Sequence, residues 1–377
     1  MPAVPVAVIG GGVVGAAVAY TLARRAVPAV LLEAEDELAR GASGTNSGIL
    51  HTGFDSKPGE LETEMILRAA HLRPPVLEQL NVPVVHCGAR LVARSRDDAA
   101  TVAGVAEGAR ANGVEVALGD DGALDVPGEA VTDPVTYTQA LAAAAAAAGT
   151  EICTGSPVTA IRQRRNALVL EVDGSDDVAC TVAVNCAGLR ADEVARLAGD
   201  QSFGIYPRKG EFFVFDAPEP LDRILLPVPT ERTKGVLVFP TIDGKVVAGP
   251  TAVDGEDKDD WSVRGEAYAE VFGQALVMWP PLESSRRIGS YAGLRPAGRN
   301  GANYVIGRSG ACPALINVGA IRSTGLTASL GIGELVAGLA AEAGLALRPD
   351  RPVAAGAVPT RDQPWWRRAA AQRTEER

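Results

Sequence analysis

Residues 6–9, VAVI, form an unbroken apolar run, which predicts a short strand buried on both faces. The stretch after it, GGGVVGAAVAYTLARR (10–25), turns alanine-rich and predicts a helix, and AVLLE predicts a second strand ending at Glu33. Residues 60–80 read as helical, and 82–130 as short strands alternating with turns. PVTYTQALAAAAAAAG (134–149) predicts a helix, with Pro134 near its start and Gly149 past its end. EICTGSPVTAIRQ, LVLEV and VAVNCAG predict strands. From Ile205 to about Val253 the segments RKGEFFVFD, GVLVFPT and KVVAGPT predict an antiparallel sheet separate from the first unit. A helix is expected over 264–278, strands in YAGLRP, YVIG and ALINVGA, and a helix in the glycine-started run from Ser323. The chain thus leaves its first unit and returns to it, with no internal repeat. The fold class is α/β (α+β overall): a Rossmann-like domain interleaved with an antiparallel-sheet domain.

Gly10, Gly12 and Gly15 fit G-x-G-x-x-G between the first strand and its helix. Gly10 permits the tight turn, Gly12 lets backbone N–H groups approach a pyrophosphate, and Gly15 lets the helix pack closely on the strand. The helix N-terminus favours the anion. Glu33, at the end of the second strand, can accept from ribose hydroxyls and disfavours a 2′-phosphate, which argues against NADP. No second fingerprint follows a strand downstream. The glycines alone do not separate NAD from FAD. If the single site holds FAD, the electrons come from the substrate.

Composition narrows the partners. A net charge of −10 argues against nucleic acid, which needs a basic face, yet leaves room for a small anionic ligand held by a few local cations. The five cysteines, Cys87, Cys153, Cys180, Cys186 and Cys312, contain no CxxC pair, which argues against a disulfide framework or a zinc site. No signal peptide precedes the first strand, and no apolar run is clean enough to span a bilayer; a cytoplasmic location is the expectation. The tail, 349–377, contains PWWRR, which suits at most a weak peripheral membrane contact; a docked or frayed helix is the preferred reading.

Four stretches carry a family likeness: NSGILHTGF followed by KPGELE, RKGEF, VPTERTKGVLVFPTIDGKVVAGPTA, and YAGLRP with INVGAIRSTGLTAS. In this order, behind the nucleotide fingerprint, the chain to about residue 345 resembles the FAD-dependent D-amino-acid-oxidase-like superfamily. Within it, the chain is most similar to bacterial glycerol-3-phosphate oxidases and dehydrogenases, and next to L-2-hydroxyglutarate oxidases. The resemblance implies a discontinuous FAD-binding domain (1–80, 131–204 and 290–348) and a substrate domain (81–130 and 205–289). It implies non-covalent FAD, with Gly10, Gly12, Gly15 and Glu33 at its ADP part and Ser43, Ser47, Gly48 and Ile49 along the flavin. Val158 would meet the adenine, and Ile321 and Arg322 the pyrimidine edge. His51 would be the base, and Ser47, Lys234, Arg295 and Ser323 would hold the substrate. Two departures stand out: Glu64, where relatives often carry lysine, and Thr324, where the oxidases tend to have proline.

The residue types fit that chemistry. Oxidising an alcohol removes a proton from oxygen and a hydride from carbon, and a neutral imidazole suits the proton. His51 sits in a loop of small polar residues, unlike His71 and His86, which are read as structural. Arg295 offers a fork for carboxylate or phosphate, and Lys234 a compact second charge. Arg322 and the helix after it can face negative charge on a reduced flavin. The expected reaction is glycerol 3-phosphate to dihydroxyacetone phosphate, then L-2-hydroxyglutarate or another 2-hydroxy acid, then an amine, with oxygen or a quinone as electron acceptor.

Overall fold

In a computed structural model the described residues are 4–93, 96–165, 167–229 and 235–371. Val4–Ile9 lies mid-sheet, parallel to Ala29–Leu32 on one side and Val178–Asn185 on the other. Its residues Val6, Ala7, Val8 and Ile9 are buried because helices cover the sheet, as a parallel sheet requires. Glu151–Cys153 extends this eight-stranded sheet at one edge and the antiparallel pair Val158–Arg164 and Ala167–Val172 at the other. Leu315–Gly319 joins it parallel to Val178–Asn185, so the chain returns here after a long excursion.

Three helices pack together beside that sheet: Val13–Arg24, Pro134–Ala147 and Gly325–Glu342. The alanines of the second carry little bulk, and Ala140, Ala144 and Ala145 are buried. Asp133 caps that helix, accepting from the N–H of Val135 at 2.8 Å and of Thr136 at 3.0 Å.

The excursion builds a nine-stranded sheet. Ile205–Asp216 is paired along its length with Arg286–Gly298, and Val246–Gly249, Leu237–Pro240 and Ile224–Leu226 continue from it. The strand Arg286–Gly298 runs across residue 290, and the first sheet resumes only at Val305–Arg308. Between 82 and 130 the structure departs from strands and turns alone: Arg96–Ala111 is a helix. Its buried positions Val102, Ala106 and Ala109 recur at helical spacing, but alanine and glycine make that stripe faint in the sequence. His71 and His86 are both exposed, so neither is a core residue.

A short third sheet joins Ile49–Leu50 and Val84–Val85 to Ala130–Thr132. Small as it is, it sets the chemistry described below.

The tail docks. In the helix Trp365–Ala371, Trp365 and Trp366 are only 2% and 1% exposed. Trp365 meets Tyr291 edge-on at 5.4 Å, Trp366 donates Nε1–H to Asp243 Oδ2 at 3.1 Å, and Arg368 pairs with Glu37. The PWWRR tryptophans are therefore core anchors and unavailable to a bilayer. Among the described residues no helix is long and apolar enough to cross a membrane. Trp366→Ala is expected to destabilise the protein by about 3–5 kcal/mol in urea unfolding, the cost of truncating a buried aromatic; a change under about 0.5 kcal/mol would return the tail to the surface.

Candidate active site

A cavity of roughly 1010 Å³ runs from the first strand's end to the second sheet. At one end lie Gly10, Gly12, Glu33 and Val158; at the other lie His51, Phe212, Arg208 and Arg295. Ser43, Ser47, Ile49, Ile321, Arg322 and Ser323 line it as well.

The nucleotide end is built for an anion. Gly12 precedes the helix Val13–Arg24 without a side-chain cap of its own, and the Val13 N–H instead meets Ser43 Oγ at 2.9 Å. Glu33 accepts from the N–H of Gly11 and of Glu35, and burial raises its pKa against those two bonds. A carboxylate has further lone pairs, so ribose hydroxyls can still be accepted. Gly15 does not line the cavity. Its role is close packing: a Cβ there would lie 1.9 Å from the Gly10 carbonyl oxygen. Gly48 does not line it either; with φ of 78° it turns the chain ahead of Ile49.

His51 stands at the other end, and its setting contains a residue that sequence reading missed. The antiparallel pairs Ile49↔Val131 and Leu50↔Ala130 carry the register on to His51 and Glu129. Glu129 is 0% exposed. Its carboxylate meets His51 Nδ1 at 2.9 Å and accepts from Thr52 N at 2.6 Å and Thr52 Oγ1 at 2.9 Å. An ionised Glu129 selects the tautomer with hydrogen on Nδ1. That leaves Nε2, which has no hydrogen-bond partner among the described residues, as the basic nitrogen.

Two more residues fix the loop. Buried Arg73 donates to the carbonyls of His51 at 2.9 Å and Thr327 at 2.8 Å, and burial lowers its pKa. Thr327 Oγ1 accepts from His51 N at 3.1 Å, which ties the loop to the helix Gly325–Glu342. Just before that helix, Ala320 and Ser323 hold φ of 54° and 62°, a left-handed conformation uncommon outside glycine. Ser323 lines the cavity directly after Ile321 and Arg322.

Among the cations, Arg295 donates Nε–H to the Arg208 carbonyl at 3.0 Å and Nη2–H to those of Lys209 and Thr251 at 3.1 and 2.8 Å. It makes no ion pair among the described residues. Burial pushes its pKa down to about 10, and the charges of Arg208 and Arg322 push the same way. Lys234 lies outside the described residues. In the helix Leu61–Gln79, Glu64 is exposed and Glu62 lines the cavity, its Oε1 accepting from Thr324 Oγ1 at 2.6 Å. Phe212 and Phe239 form an aromatic wall, with Phe212 stacked on Tyr291 at 4.9 Å.

A nucleotide cradle at a strand–helix turn, continuous with a cavity holding a polarised imidazole, defines a dinucleotide-dependent oxidoreductase. Residues 5–339 match the FAD dependent oxidoreductase (DAO) family, and the chain belongs to it. It is 28% identical over 342 residues to a glycerol 3-phosphate dehydrogenase of Caloramator mitchellensis, covering 86% of this chain and 71% of that one. It is 28% identical to the L-2-hydroxyglutarate dehydrogenase of Escherichia coli K12, covering 70% and 67%. Among solved structures, the FAD-bound L-alpha-glycerophosphate oxidase of Mycoplasma pneumoniae superposes with a TM-score of 0.85 at 26% identity, over 93% of this chain and 97% of that one. FAD is thus the cofactor, and the cradle residues fit it.

Glu129→Gln keeps the shape but can turn an N–H toward Nδ1 and favour the wrong tautomer. It is expected to retain FAD while slowing substrate reduction of the flavin by roughly 10²–10⁴-fold in stopped flow. An unchanged rate would make Glu129 structural only.

Proposed function

We propose that this chain oxidises a small anionic alcohol, glycerol 3-phosphate, to the ketone dihydroxyacetone phosphate. The observation carrying this reading is the His51–Glu129 contact at 2.9 Å, in a cavity that Arg295 also lines. When bound, FAD supplies an acceptor for the hydride leaving the carbinol carbon. His51 takes the hydroxyl proton at Nε2. Glu129 holds the ring by Nδ1 and offsets the positive charge that the imidazole then carries. Arg295 anchors the anionic end away from the reacting carbon, so binding there orients the carbinol toward His51. Ser47 and Ser323 offer hydroxyls along the same cavity, and Lys234 is proposed as a further cation. Gly12, Ser43 and Glu33 hold the pyrophosphate and ribose; Val158 contacts the adenine; Ile49, Ile321 and Arg322 meet the flavin.

The similarity to a glycerol 3-phosphate dehydrogenase and to a glycerophosphate oxidase supports the substrate. A second reading, L-2-hydroxyglutarate, has support in the similarity to the Escherichia coli dehydrogenase. It keeps the same base and gives Arg295 a carboxylate. The two-electron cycle closes on oxygen or a quinone.

The test is anaerobic mixing of the FAD-loaded enzyme with glycerol 3-phosphate, L-2-hydroxyglutarate, glycine and sarcosine in turn. Glycerol 3-phosphate should bleach the yellow spectrum fastest, and His51→Ala should keep FAD yet bleach roughly 10²–10⁴-fold more slowly. A spectrum unchanged by glycerol 3-phosphate would remove it as the substrate. Colour returning within seconds of admitting air would identify oxygen as the acceptor; a colour restored only by a quinone would identify the other.

A further inference from the structure

The strands Ile205–Asp216 and Arg286–Gly298 set Arg208 directly opposite Arg295. Side chains of directly opposed residues emerge on one face of the sheet, within about 5.5 Å at Cβ. Here that face lines the cavity, as do Gly210 and Phe212 two and four positions on. The alternate residues turn away and are neutralised elsewhere: Lys209 pairs with Asp260 at 2.5 Å, and Glu211 with Arg264 at 2.7 Å. The strand thus sends Lys209 and Glu211, each with its ion partner, to one side, and Arg208, beside Asp254, to the cavity side.

Like charges directly opposed across a sheet are destabilising, so an arginine pair of this kind calls for a compensating anion. Asp254, directly opposite Arg208 on the strand Val253–Asp254, pairs with it at 3.3 Å and supplies one negative charge against the two guanidiniums. Arg295 has no carboxylate partner among the described residues; its three hydrogen bonds go to backbone carbonyls through Nε and Nη2, and Nη1 has none. Gly210 makes room for this arrangement, since a Cβ there would lie 3.2 Å from Arg295 Nη2. The backbone therefore holds the guanidinium in place without neutralising it. The shared field is visible in Arg295, whose proton is loosened by burial first and then by Arg208 and Arg322.

We propose that Arg208 and Arg295 together form the seat of a tetrahedral dianion, the phosphate of a phosphomonoester substrate, with Arg208 as the residue that distinguishes it from a monocarboxylate. The inference rests on reading the cavity as the site of an anionic alcohol. A carboxylate has two oxygens, and a single guanidinium fork satisfies them. A phosphate monoester has three terminal oxygens and nearly two charges, enough for donors on two guanidiniums. The second arginine is therefore worth more to the dianion than to the monoanion.

The test is calorimetric titration of FAD-loaded enzyme with sulfate, a tetrahedral dianion, and with acetate, at constant ionic strength. Wild type should bind sulfate at least tenfold more tightly than acetate. Arg208→Gln should weaken sulfate roughly tenfold to a hundredfold and acetate less than threefold, while Arg295→Gln should weaken both. Arg208→Lys, which keeps a charge but loses the fork, should fall between wild type and Arg208→Gln. FAD content and the flavin spectrum report that each variant is folded; if Arg208→Gln loses FAD, Arg208→Lys carries the comparison. A sulfate affinity unmoved by Arg208→Gln, or by Arg208→Lys where that variant decides, overturns the seat, as does a wild type that binds neither anion. If the seat fails while glycerol 3-phosphate still bleaches the flavin, the substrate reading survives. If sulfate binding needs both arginines while glycerol 3-phosphate leaves the flavin oxidised, the seat survives and the substrate is a different dianion.

Discussion

A single buried carboxylate organises the reacting end of the cavity. Glu129 is wholly excluded from solvent, where an uncompensated charge is costly, and three donors answer it: His51, Thr52 N–H and Thr52 hydroxyl. The arrangement works in both directions. The donors make the burial of Glu129 tolerable, and the charge of Glu129 fixes which imidazole nitrogen carries hydrogen. The proposed reaction depends on that choice, because only a bare Nε2 can take a proton from an alcohol.

The same end is braced from three parts of the chain. Arg73 reaches from the Leu61–Gln79 helix to the His51 carbonyl, Thr327 reaches from the Gly325–Glu342 helix to the His51 N–H, and the paired strand brings Glu129. Across the cavity, Arg295 is held by backbone carbonyls instead of carboxylates. Rigid placement of the proposed base and the proposed anchoring cation is what orientation catalysis requires. The aromatic wall of Phe212 and Phe239, with Tyr291 and then Trp365 packed behind Phe212, keeps the surroundings apolar, which strengthens the electrostatics of both groups.

What the sequence reveals and what it hides follow from the range of the interactions. The nucleotide turn was legible because its strand, glycines, helix and acid lie within 33 consecutive residues, and each part leaves a local mark. His51 was legible as one of three histidines in a loop of small polar residues. Glu129 was not, since a two-residue strand pairing brings it across 78 positions, and GEA in a turn looks like any surface acid. Arg208 was hidden in RKGEF for a related reason: only the register with Arg286–Gly298 shows that Arg208 faces the cavity while Lys209 turns away. The Arg96–Ala111 helix escaped because its apolar stripe is mostly alanine, and the tail tryptophans read equally as interface or core until their partners Tyr291 and Asp243 are known.

The most direct measurement is ¹⁵N NMR of histidine-labelled, FAD-loaded protein, where three imidazoles give three resolvable spin systems and His71→Gln and His86→Gln assign them. The account predicts that His51 at neutral pH carries its hydrogen on Nδ1, with Nε2 bare. A His51 ring protonated at Nε2 and bare at Nδ1 would contradict it, because that ring has no base to offer the cavity.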